Sequence, residues 1–138
     1  MRRLGLIFLL LVLLVVACGG GDEEEKEEPA PVSGAAGDAA QGEELFKQTL
    51  IGSQPGCISC HSLEPDKVLV GPSMAGVANR AGSRVAGESA EEYLRQSILS
   101  PDAYTVDGFS AGLMPAGLAN ELSDQQLDDI VAYLLTLK

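Results

Sequence analysis

Cys57-Ile58-Ser59-Cys60-His61 is the stretch on which the rest of the chain turns. Two thiols three positions apart, followed directly by an imidazole, form the pattern of covalent c-type haem attachment. The chemistry asks for this spacing: each sulfur adds to one vinyl group of the porphyrin, and the next residue brings an imidazole nitrogen beneath the iron. His61 is the one histidine of the 138 residues, so no other imidazole is available to the metal.

Three other uses of a Cys-x-x-Cys pair compete with haem attachment. A thioredoxin-like redox pair expects a surrounding βαβ pattern, and none is apparent. A zinc site needs four ligands, whereas only Cys57, Cys60 and His61 stand near one another, with Cys18 far upstream. A disulfide across two intervening residues closes a loop too small to stabilise much. All three leave the adjoining histidine unexplained.

The composition agrees with a cofactor at the centre. One small domain is what this length supports, and its aromatic content is 4%, with no tryptophan, three phenylalanines and three tyrosines. A buried porphyrin would supply the missing apolar mass. The net charge of −11, from 20 acidic and nine basic residues, argues against nucleic-acid binding and fits either a basic docking partner or simple solubility.

Upstream of the motif, Arg2 and Arg3 precede an apolar run from Leu4 to Val16 that is too short to span a bilayer comfortably. A charged start, a short apolar run and a small residue at its end are the marks of an export signal, predicted over residues 1–17. Val15-Val16-Ala17-Cys18 resembles the lipobox of bacterial lipoproteins, in which the cysteine is diacylated and becomes the mature N-terminus. Two acyl chains on Cys18 would give the stable anchoring that a single chain does not. A free thiol in an uncleaved anchor, or a signal cut elsewhere, are the alternatives. Residues 18–37 continue as glycines, an acidic run from Asp22 to Glu28, prolines and small residues, a composition that reads as a disordered tether. About 20 such residues reach about 25 Å on average and about 65 Å fully extended.

The domain is expected over residues 38–138. Asp38 is an N-cap candidate for a helix running to about Thr49, with Leu45 and Phe46 on its apolar face and Gly42 open to close approach by another helix. The glycine-rich stretch after His61 contains Gly71-Pro72-Ser73-Met74 and Arg80, and is long enough to wrap a ligand. Ser89 and Glu92 form a capping box for a helix to about Leu99, which Pro101 stops. Residues 102–120 lack periodicity. Ser123 and Gln126 form a second capping box, ahead of Leu127, Ile130, Val131 and Leu134 at helical spacing. Asp124, Asp128 and Asp129 fall in that helix's first half, where its dipole prefers acids.

His61 and four porphyrin nitrogens leave the iron one position short of six. Without a second histidine, a methionine thioether is the strongest candidate, and His/Met ligation is the arrangement of electron-transfer haems with raised potentials. Met74 and Met114 compete. Pro115 biases Met114 towards an extended backbone and removes the next amide, so that segment can cross a haem face with no unsatisfied donor. Local physics favours Met114 without deciding between the two.

Taken together, the haem motif, the Gly71-Pro72 turn, Met114-Pro115 and the closing helix through Ala132-Tyr133-Leu134 resemble a class I monohaem cytochrome c, in a lipoprotein form. The resemblance implies an all-α fold of three to five helices wrapped around one covalent haem c, with its iron, held through Cys57 and Cys60. It implies Met114 as distal ligand, Pro72 as the carbonyl that accepts from the His61 ring, Arg80 (with Arg84 as rival) against a propionate, and Phe46 packed on Tyr133. The function implied is an electron carrier rather than an enzyme. It would work between a quinol-oxidising complex and a terminal oxidase or reductase of a respiratory or photosynthetic membrane, anchored through Cys18 to the outer face of the bacterial cytoplasmic membrane. The alternative is a haem module with an open sixth site, for small-ligand sensing or peroxide chemistry.

Overall fold

The computed structural model describes residues 36–138; the export signal, Cys18 and all but the last two residues of the tether lie outside the described residues. In chain order the elements are α1 (Ala39–Phe46), β1 (Leu50–Ile51), β2 (Gln54–Pro55), α2 (Cys57–Cys60), α3 (Val77–Ala81), α4 (Ala90–Leu99), a 3-10 helix (Ala116–Glu121) and α5 (Asp124–Leu134). Helices dominate, as expected, with one small antiparallel hairpin that was not anticipated. It pairs Leu50 with Pro55 and Ile51 with Gln54.

Side chains already legible as caps start the helices. The Asp38 carboxylate accepts from the amides of Ala40 and Gln41 at 2.8 and 3.3 Å, satisfying two of the donors that a helix start leaves free. Both capping boxes form, Ser89 with Glu92 and Ser123 with Gln126. The Ser89 bonds hold the Glu92 carboxyl below its ordinary pKa. α1 ends at Phe46 rather than near Thr49: the Gln48 amide turns to the Leu45 carbonyl at 3.1 Å, three residues back instead of four, and the Thr49 carbonyl then accepts from Gly56 N at 2.9 Å and Ser59 Oγ at 2.8 Å, which fixes the entry into α2.

The frame is the packing of α1 on α5. Gly42 is its closest point, where an added Cβ would stand 1.9 Å from the Asp129 carbonyl oxygen. One turn on, Phe46 meets Tyr133 with ring centroids 5.5 Å apart at 56°. Phe46, Ile130 and Val131 are the largest fully buried side chains. Asp129 does more than complement the helix dipole: it is buried, and its Oδ1 accepts from Asp38 N at 2.7 Å and Gln125 Nε2 at 2.8 Å. A buried carboxylate needs such donors, and these pin the start of α1 to α5. Arg95 of α4 pairs with Asp128 at 2.6 Å, tying the third long helix to the same frame.

Candidate functional site

Beside this frame lies a cavity walled by α2, the Val70–Pro72 turn, α4 and the segment between Pro101 and Leu118. Cys57, Cys60, His61, Pro72 and Met114 all line it, whereas Met74 does not; both methionines pack against the hydrophobic core. α2 is short, but its geometry matters: both cysteines of a single helical turn face the cavity, and the His61 amide donates to the Cys57 carbonyl at 2.9 Å as the chain leaves the helix.

The imidazole is held from behind. Nδ1 of His61 lies 2.9 Å from the Pro72 carbonyl oxygen. A carbonyl can only accept, so Nδ1 carries the proton and Nε2 keeps its lone pair free for a metal. Burial pushes the ring's pKa down, opposed by the bond to Pro72. Gly71 makes this possible, since a Cβ there would stand 2.5 Å from Cε1 and 2.8 Å from Nδ1 of the ring. The backbone therefore lies directly against the imidazole.

Burial pushes the Cys57 thiol up to about 11, so at neutral pH the unattached sulfur is a protonated thiol. That is the opposite of the lowered pKa that makes a Cys-x-x-Cys pair a disulfide-exchange site. Two thiols side by side, a neutral imidazole with a free nitrogen and a thioether in one apolar cavity are the donor set of a covalently held, axially ligated haem.

Arg80 stands apart from the cavity lining. Its guanidinium donates to the carbonyls of Ser73 and Ala75, the second at 2.5 Å, so it clamps the backbone just past Pro72. Arg84 does not line the cavity either. What sequence reasoning missed is the rest of the wall. Tyr93 and Tyr104 meet edge to face at 5.8 Å, and with Phe109 they put three of the chain's six aromatics around this one cavity. The available signal was two aromatics inside an aperiodic segment bounded by Pro101 and Pro115, which fits a ligand-facing loop better than a solvated one.

Comparison with known proteins agrees with this geometry. The model of the cytochrome c family matches residues 39–138, from the start of α1 to the last residue. The chain belongs to the cytochrome c family. A cytochrome c2 of Rhodopseudomonas palustris is 34% identical over 126 residues, covering 73% of this chain and 99% of the relative. A cytochrome c2 of Blastochloris viridis is 32% identical over 113 residues, covering 72% and 78%. Among solved structures, one described as SoxXA from P. pantotrophus is 26% identical, with a TM-score of 0.49 over 76% of this chain and 85% of that one. As a cytochrome c, the domain carries haem c with its iron, attached through Cys57 and Cys60, and is a haem-based electron carrier.

Proposed function

We propose that this cytochrome c is a membrane-tethered one-electron carrier whose iron is held between His61 Nε2 and the Met114 sulfur. The observation that carries this reading is the sharing of one cavity by Cys57, Cys60, His61 and Met114, while Met74 does not line it. The haem supplies the ferrous/ferric couple. The chain's own residues do the rest: the Pro72 carbonyl orients the imidazole and makes it a better donor, and the Met114 thioether favours the reduced state. Tyr93, Tyr104 and Leu118 keep the cavity apolar. No substrate bond is made or broken, and the partners are redox proteins, with a quinol-oxidising complex upstream and a terminal oxidase or reductase downstream. Arg80 acts as a clamp on the Ser73–Ala75 backbone rather than as a haem partner.

The tether is argued from residues alone. Arg2, Arg3, the apolar run and Val15-Val16-Ala17-Cys18 support export, lipidation of Cys18 and residence at the outer face of the cytoplasmic membrane. No helix among the described residues is long and apolar enough to cross a membrane.

The Met114→Ala protein tests the ligand assignment. Its midpoint potential should fall and its reduced form should bind carbon monoxide, with haem still covalently attached. A wild-type potential in this variant would remove Met114 from the iron.

A further inference from the structure

The loop between His61 and Pro72 leaves the cavity wall and returns to it with its base tied. Gly71 N donates to the Cys60 carbonyl at 2.9 Å, Met74 N to the Ser62 carbonyl at 2.8 Å, and Ser73 Oγ to the Glu64 carbonyl at 2.6 Å. Pinned this way, the loop holds out an apolar tip. Val68 is 60% exposed and Leu69 45%, and neither lines the cavity, so their exposure is independent of what fills it. Val70 and Leu113 are also exposed, and they do line the cavity. Two segments thus each bring an exposed aliphatic side chain to the cavity wall, Val70 from the loop after His61 and Leu113 from the segment that carries Met114. Consecutive exposed aliphatic side chains on a constrained loop are the mark of an interaction surface.

The charges beside this patch are mostly acidic. Lys67 is the only lysine or arginine between Lys47 and Arg80, and there is none between Arg95 and Lys138; these stretches hold every cavity-lining residue except Tyr93. Lys67 itself is held 2.7 Å from Glu64. The acids are Asp66 at the loop tip, Asp102 on the cavity wall, where it accepts from Gly112 N at 2.7 Å, and Asp107, exposed between the lining residues Val106 and Phe109.

We propose that Val68, Leu69, Val70 and Leu113 form the face on which this cytochrome c exchanges its electron, and that the partner docked there is a redox protein with an apolar face bordered by basic side chains. The inference rests on the electron-carrier reading. One electron passes between the haem iron and the partner's redox centre, and no bond forms or breaks. The acids steer the encounter, and burial of Val68 and Leu69 holds the complex while the centres exchange. Because the loop is pinned before docking, little conformational freedom is lost on binding.

The test uses the full-length holoprotein in stopped flow. The reduced form is mixed with a basic plantacyanin, whose copper absorption separates it from the haem bands, with an acidic plastocyanin, and with ferricyanide. Plantacyanin should react faster than plastocyanin, with a rate that falls as salt is added. Replacing Val68 and Leu69 together by serine should slow plantacyanin roughly tenfold, with ferricyanide unaffected. The pair Asp66→Asn and Asp107→Asn should slow plantacyanin and flatten its salt dependence. The pair Glu44→Gln and Glu91→Gln, the same charge change on α1 and α4, should do neither. Wild-type plantacyanin kinetics in the serine variant, equal effects of the two charge pairs, or a preference for plastocyanin would each overturn the docking face while leaving the carrier reading intact. Failure of the wild-type iron to exchange with ferricyanide would overturn both.

Discussion

Replacing Gly42 by alanine sets two effects of opposite sign against each other. In an isolated helix the change is favourable by about 0.8–1.0 kcal/mol, because glycine is the poorer helix former. In this fold the new methyl would stand 1.9 Å from the Asp129 carbonyl oxygen, 2.5 Å from its carbon and 2.9 Å from the Tyr133 Cβ. Two of these atoms are backbone of α5 and cannot rotate away. Ordinary contact begins near 3.4 Å, so α1 and α5 must part by about 1.5 Å at this point. A gap of even 0.5–1 Å forfeits roughly a quarter to a half of the dispersion energy of the atoms facing it, including those around Phe46 and Tyr133. With overpacking at the upper end of its usual cost, about 3 kcal/mol, and the propensity gain subtracted, the variant loses about 2 kcal/mol. For a domain near 100 residues that is a fall in Tm of roughly 8–16 °C. Thermal unfolding of both holoproteins, followed by far-UV circular dichroism, measures it. An unchanged or raised Tm would mean that helix propensity wins and that the close α1–α5 approach is wrong.

The site makes two further predictions. Gly71→Ala pushes a methyl into the His61 ring, so the imidazole must swing away from Pro72; the haem should stay covalently attached while the ferric spectrum gains a high-spin component, and a wild-type spectrum would refute the close backbone contact. Arg80→Met removes two bonds to backbone carbonyls, for a loss of about 2–4 kcal/mol. The Tm should fall with the potential nearly unchanged. A large shift of potential without loss of stability would return Arg80 to the haem.

Much of this was legible from the residues because it depends on local chemistry. Cys57-Ile58-Ser59-Cys60-His61 names its cofactor by spacing alone, and the two capping boxes mark helix starts because a hydroxyl and a partner three positions on satisfy each other's amides. Gly42 stood out as a point of close approach, and the resemblance placed Phe46 on Tyr133. Features that depend on what the chain folds against were not legible. The hairpin has strands of two residues, too short for any period. Asp129 reads as one more acid on a helix until Asp38 N is seen to depend on it. Arg80 carries the right charge for a propionate, but nothing in its neighbours says that Ser73 and Ala75 will claim the guanidinium. Nothing in Val68-Leu69-Val70 itself says that a tied loop will hold these side chains in water.

The proposed iron site is closed, with His61 and Met114 as its two axial ligands. The most direct measurement is the visible spectrum of the dithionite-reduced holoprotein before and after carbon monoxide is added. An unchanged six-coordinate spectrum is the predicted result, because on the proposed ligation the thioether would already fill the sixth position. Rapid formation of a carbonyl complex would contradict it, and would put forward a sensing or peroxide-reacting haem in place of an electron carrier.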